Sequence, residues 1–300
     1  MATDPMLSNP RRLPALGMLV LGTLLAVLTW MAVARADLHA MEQEHDRRFS
    51  QITYEVESRT VQARNVLRGI QGLFIASDQV SRLDFHQYAK ALEIAEGSLG
   101  LQAVQFARVV EHAQRDAFEA RVRADTTLVP SGYPQFSIRP DGTRTLYVPT
   151  EYNEPMRGNE AAFGFDTAHG PIRTAVMAAA RDTGEARASA PFKLVQSSQT
   201  GVVLRAPIYR NGAPTQTVQQ RRDAYLGQAS VVFIVDTLLG AALGNHFGVD
   251  TEVTLTDMGS TADGVAPPAA DSLLGRYGQL PTPSIWRTPL DAAQTLIVAG

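Results

Sequence analysis

Six histidines are the first place to look for proton transfer or metal binding, and their spacing supports neither. His39, His45, His86, His112, His169 and His246 form no ligand-like pair. No His-Glu-x-x-His, phosphate loop or Gly-x-Ser-x-Gly occurs. Cysteine is absent, which removes disulfides, thiolate metal sites and thiol nucleophiles. Asp141-Gly142, Asp257 and Asp263-Gly264 read as turn chemistry. No enzymatic activity, metal or cofactor is therefore expected within these residues. The cations are almost all arginine, Lys90 and Lys193 being the only lysines, a composition that reflects coding bias before chemistry. With a net charge of -3 and no basic cluster, nucleic acid is not an expected partner.

The elements that would position any site begin at the N-terminus. Leu13 to Ala34 carries no charge and would span roughly 33 Å as a helix, enough for a bilayer core. Arg11 and Arg12 precede it, and Trp30 sits near its outer end, as an interfacial aromatic does. A retained anchor is favoured over a cleaved signal, because the run exceeds a usual signal core and a helical pattern continues beyond it. The alternative is an exported soluble protein, even an enzyme, released at Ala32-Val33-Ala34 or Ala34-Arg35-Ala36. Flanking arginines do not settle orientation, since Arg35, Arg47 and Arg48 outnumber those before the span.

Phe49, Ile52, Val56, Arg59, Ala63, Val66, Ile70 and Leu73 alternate steps of three and four, a seam for a coiled coil or for packing on a domain. Gly69 and Gly72 weaken the last turns of that helix. Ser81-x-x-Asp84 opens a second helix, Arg82 to Glu96. Leu101 to Val110 reads as a buried strand and Glu111 to Asp125 as a helix. Phe136–Arg139 and Thr143–Val148 flank Pro140-Asp141-Gly142 as a hairpin, and Pro171 starts a helix that Thr183-Gly184 stops. A second hairpin joins Ala188–Gln196 to Gly201–Tyr209. Thr215 to Asp223 reads as a polar connector, after which a second unit opens with the strand Leu226 to Val235. A short helix Asp236–Leu243, a strand Glu252–Leu255, a loop Met258–Ala270 and closing strands at Ser284–Arg287 and Gln294–Val298 complete it. The abrupt end after an apolar strand is expected of a piece of a longer chain.

The order and separation of several fragments resemble the CHASE domain, the extracytoplasmic sensor of many receptor kinases and cyclases. The fragments are Ala107-Arg108-Val109-Val110 with Phe118-Glu119, Tyr147-Val148-Pro149 with Glu154-Pro155, and Gly164-Phe165-Asp166. Ala179 to Gly184, Pro191-Phe192-Lys193-Leu194, and Gly201-Val202-Val203-Leu204 with Pro207-Ile208-Tyr209 complete the set. The resemblance implies an α+β fold: a transmembrane helix at 13–34 after a cytoplasmic tail at 1–12, and a stalk helix at 35–78. Two tandem PAS-like domains with antiparallel sheets follow, a membrane-distal ligand-binding one at 79–214 and a membrane-proximal one at 215–300. It further implies a homodimer through the stalk and a second span with an output domain of histidine kinase or diguanylate cyclase type. The sensor would lie outside the inner membrane, in the periplasm. A double-PAS chemoreceptor sensor is the related alternative.

In the plant cytokinin receptors that the chain resembles, an aspartate at a helix start and a threonine on a strand hold adenine. Those positions fall here at Arg173 and Arg205, and a leucine of the preceding strand falls at Val195. Arginine only donates and suits carboxylate or phosphate, so the resemblance implies a small anionic ligand in place of a purine. Tyr147, Tyr152 and Phe192 would supply walls, and Asp166 would join the site. The alternative is internal: Arg173 pairs Asp166 or Glu154, and Arg205 faces solvent.

Overall fold

The computed structural model describes residues 12–94, 100–189, 192–193, 199–243, 252–257, 272–278 and 292–294. Helix α1 runs from Arg12 to Ala76. Its N-terminal part is long and apolar enough to cross a membrane, with an exposed window of mean hydropathy 2.2. The described chain divides into a unit holding α1 through Thr53 and a unit that begins at Tyr54 and holds everything else but residues 292–294.

In the second unit, α2 (Arg82–Ala91) starts at the Ser81 capping box, where Ser81 and Asp84 satisfy each other's backbone N–H groups. It stops earlier than expected, at Leu92, with Glu93 in the left-handed region (φ 53°). Strand β1 (Leu101–Arg108) follows, then the two-residue β2 (Val110–Glu111), α3 (Arg115–Arg123), β3 (Leu146–Tyr147) and β4 (Thr150–Glu154). The expected hairpin around Pro140 does not form, and β3 pairs with β2 instead. Side chains take the backbone groups that the hairpin needed. Glu119 accepts from Ile138 N at 3.0 Å, while the Tyr147 hydroxyl accepts from Arg144 N and donates to Gly142 O, both at 3.0 Å.

Helix α4 (Pro171–Thr183) ends at Gly184, whose φ of 84° gives the left-handed cap expected of it. Strands β5 (Arg187–Ala188) and β6 (Phe192–Lys193) both pair with the long β7 (Thr200–Tyr209). The expected connector contains a helix, α5 (Val218–Ala224), capped by a Thr217/Gln220 box. Strand β8 (Tyr225–Ile234) then lies between β1 and β7, in the order β4-β1-β8-β7-β5. The strand Leu226–Val235, expected to open a second unit, is thus the middle of the first sheet. Its apolar run is buried on both faces, which a central strand requires and an edge strand does not. Helix α6 (Val235–Leu243) follows, and β9 (Glu252–Asp257) pairs with an unexpected β10 (Ser272–Gly278). The expected strand 284–287, and the 258–270 loop, lie outside the described residues; of the last strand only Gln294 is described, in no strand.

Period-two alternation divides the central sheet into two faces. Val104, Phe106, Leu204, Ala206, Ala229, Val231 and Phe233 point one way, onto Ala63 to Phe74 of α1 and Phe85 and Ala89 of α2. The distal part of the seam read from the sequence is therefore domain core. A separate cluster of Val110, Phe118, Val122, Phe136, Ile138 and Tyr147 fills the space under α3.

Candidate ligand-binding site

The other face of the sheet is unusual because a polar row crosses it. Asn153 stands opposite Gln105, Gln105 opposite Ser230, Ser230 opposite Arg205, and Arg205 opposite Arg187. All five are buried. Cross-strand partners share a face, so one line of polar side chains spans five strands. Apolar patches flank it: Ala103, Val203, Val232 and Ile234 with Phe192 on one side, Ala107, Val148 and Met177 with Tyr225 on the other. A buried polar group costs free energy unless it is hydrogen-bonded, so the partners decide what the row is for.

At one end the row is internally satisfied. Gln105 Nε2 donates to Asn153 Oδ1 at 2.9 Å, and Asn153 Nδ2 donates to Asn159 O at 2.8 Å. At Arg205 it is not. That side chain is 4% exposed, and its Nε and Nη1 meet no acceptor among the described residues. Burial, with Arg173 nearby, pushes its pKa down to about 10, and the Tyr225 phenol opposes the shift. The guanidinium therefore stays charged at neutral pH, desolvated and without a carboxylate. Burial in turn raises the Tyr225 phenol well above its ordinary value.

Arg173 lies in the first turn of α4, whose N-cap Gly170 offers no side-chain cap to the first N–H groups. Its guanidinium sits 5.2 Å from the Phe165 ring centre and 5.0 Å from that of Phe192. Two aromatic faces hold it by cation–π attraction. Positive charge from Arg205, Arg173 and the helix start thus gathers over one sheet face.

A family model for the CHASE domain matches residues 78–267. The chain belongs to the CHASE domain family. A solved structure of the ligand-binding domain of the Pseudomonas aeruginosa PAO1 amino acid chemoreceptor PctC, in complex with GABA, is also similar. It shares 14% identity over 68% of each chain, with a TM-score of 0.36. Family and apolar helix together make this a membrane receptor's sensor domain, not itself catalytic.

Within this CHASE domain, the residues singled out from sequence go to different places. Arg173 and Phe192 stack on each other, and Arg205 lies in the same layer. Tyr152 lies on the opposite face, against Phe85 and Phe106, with its hydroxyl donating to Val80 O at 2.9 Å. Tyr147 belongs to the cluster under α3. Neither is brought to Arg205. Asp166 is fully buried, and its carboxylate accepts from Val148 N at 2.9 Å and Ala168 N at 3.1 Å, with Arg144 Nε at 3.1 Å. It braces the loop before α4, with Arg144 and not Arg173 as its counter-ion. Glu154 lies 3.0 Å from His86 Nδ1. Val195 lies outside the described residues. Gln105, Asn153, Arg187, Gln228 and Ser230 were not foreseen. Their signal was present as polar residues inside otherwise apolar strands, Leu-Gln-Ala-Val-Gln-Phe and Gly-Gln-Ala-Ser-Val-Val.

The cleft of about 1120 Å³ lined by Arg82, Arg108, Arg121 and Asp125 is a different place. Its charges answer one another: Arg82 lies 2.7 Å from Asp125, and Arg121 lies 2.8 Å from the buried Glu151, which Arg108 also contacts. Arg205, by contrast, is buried with no carboxylate facing it among the described residues.

Proposed function

We propose that this chain is the extracytoplasmic ligand-sensing part of a transmembrane receptor, and that its ligand is a small anion held by Arg205 with Arg173. The observation that carries this reading is the buried Arg205 guanidinium with two N–H-bearing nitrogens unsatisfied. Leaving such a group unanswered costs on the order of several kcal/mol, which a bound carboxylate would recover through paired, charge-assisted hydrogen bonds. A purine offers no negative charge for that purpose.

In the same reading the N-terminus is cytoplasmic and the sensor lies in the periplasm. A second PAS-like unit after β8 and a second span lead to a histidine kinase or diguanylate cyclase, and two chains pair along the stalk. Ligand binding would bias two arrangements of that dimer, and the helices would carry the difference across the bilayer.

The test is thermal unfolding of the full chain in nanodiscs with a panel of small carboxylates, phosphate and adenine. At a hundred times its Kd an anion should raise Tm by roughly 5 °C, and Arg205→Met should abolish the rise. Equal shifts in wild type and Arg205→Met, or a response to adenine alone, would overturn the reading.

A further inference from the structure

The neighbouring strand holds a second unanswered group, of opposite hydrogen-bonding sense. Gln228 is 2% exposed, and its Oε1 has no donor among the described residues. The amide orientation follows from its neighbour. Thr167 Oγ1 donates its single proton to Val148 O at 2.9 Å, so toward Gln228 it can only accept. Gln228 Nε2 therefore faces it, at 2.8 Å, and Oε1 is the atom left over. Flipping the amide would set two acceptors against each other.

Register places this acceptor beside Arg205. Arg205 pairs with Ser230 and Pro207 with Gln228, so Gln228 is the diagonal neighbour of Arg205 on the same face. Such neighbours have Cα atoms on the order of 7–8 Å apart, so both side chains are within reach of one small molecule on that face. Arg205 offers donors with full positive charge, and Gln228 offers a neutral acceptor.

The sign of nearby charge narrows the second group further. Arg173 and the start of α4 add positive charge, while Asp166 is committed to Arg144 and Asp182 to Arg181 and Arg222. An ammonium would enter without a carboxylate to meet it. A hydroxyl would donate to Gln228 without that penalty.

Resting on the anion reading above, we infer that the site takes a short carboxylate bearing a neutral hydrogen-bond donor, of the hydroxy-acid class, its carboxylate on Arg205 and its hydroxyl on Gln228. Three matched sets test this by calorimetry on the full chain: acetate, glycolate and glycine; propionate, 3-hydroxypropionate and β-alanine; butyrate, 4-hydroxybutyrate and 4-aminobutyrate. In at least one set the hydroxy acid should bind about tenfold tighter than its plain and amino counterparts. Gln228→Leu should erase that preference while plain acids still bind, and Gln228→Glu should weaken every acid by repulsion. Equal binding of plain and hydroxy acids, or preference for the amino acid, would overturn this inference and leave the anion reading standing. Failure of every acid, and of phosphate, to bind wild type would overturn both.

Discussion

Arg205 carries an energetic conflict that a single substitution should expose. In the unliganded protein its charge is desolvated and unanswered, so Arg205→Met should stabilise the fold by about 1–4 kcal/mol, by analogy with buried ion pairs replaced by apolar residues. A higher unliganded Tm together with a lost ligand response is the expected signature. Unfolding in urea without ligand measures the first half, and a lower stability in that variant would show that Arg205 is a structural residue. Lysine at this position should keep the charge but lose the two-pronged geometry, so a partial ligand response is expected of Arg205→Lys. Arg173 and Arg205, the arginines of the proposed site, were legible because the family resemblance puts ligand-contacting positions there. The polar row that includes Arg205 was not, because it exists only through the register of five strands. Nothing local in Gln105 or Ser230 says that each will face an arginine-bearing strand or an asparagine. Tyr152 points to the face of the central sheet opposite Arg205, and Tyr147 belongs to the separate β2–β3 pair under α3; a count of aromatics reveals neither placement.

At the scale of elements, α1 holds two similar-looking glycines that call for opposite treatment. Gly69 and Gly72 read alike in sequence, as helix-weakening residues. In the structure Gly72 is exposed, and an added Cβ would touch nothing within 4 Å, whereas at Gly69 it would fall 2.0 Å from the Tyr88 hydroxyl. Gly72→Ala should therefore stabilise by about 1 kcal/mol through helix propensity alone. Gly69→Ala should cost more than propensity returns, because α2 must yield where Tyr88 packs on α1. Denaturant midpoints of the two variants should move in opposite directions. At the far end of α4, Asp182 accepts from Arg222 through Nε at 3.0 Å and Nη2 at 2.5 Å and from Arg181 Nε at 2.7 Å, while Arg221 Nε donates to Asp182 O at 2.7 Å. The clasp ties the helix that carries Arg173 to α5. Hydrogen bonds from Arg222 and then Arg181 outweigh desolvation and hold the carboxyl well below its ordinary range. Its folded pKa is depressed, so the stabilisation is fully present above the unfolded value near 3.8 and is lost as pH falls below it. Because the pair is partly solvated, we expect only about 1 kcal/mol from it. Asp182→Asn should unfold at a lower urea concentration at pH 7, and its deficit against wild type should narrow steadily as pH falls below 4.

For the whole molecule, the stalk divides between two uses. The three-four seam read from sequence suits a coiled coil or packing on a domain, and from Ala63 to Phe74 it is buried in the chain's own core. A second copy cannot use it there. A different line remains open: Tyr54, Val61 and Ile75 are exposed apolar residues separated by one and two heptads, at 66%, 44% and 67% exposure. Heptad spacing is what a pair of helices buries against each other, and large apolar side chains at such positions lose contact with water only in an assembly. If two chains pair along the stalk, this line should be their seam. These 300 residues hold no cysteine, so a single introduced thiol has no competitor within them. Tyr54→Cys and Val61→Cys in membranes should form disulfide-linked dimers within minutes of mild oxidation. Glu57→Cys and Arg68→Cys bracket the helix: Arg68 continues the heptad and should also cross-link, whereas Glu57, about 60° away from Tyr54 around the helix, should do so more slowly. A saturating acid that binds Arg205 should change the relative rates along the series, because a receptor must couple its site to its helices. Rates that ignore heptad position would remove the stalk dimer, and periodic rates that ignore ligand would leave a dimer without a signalling role for this site.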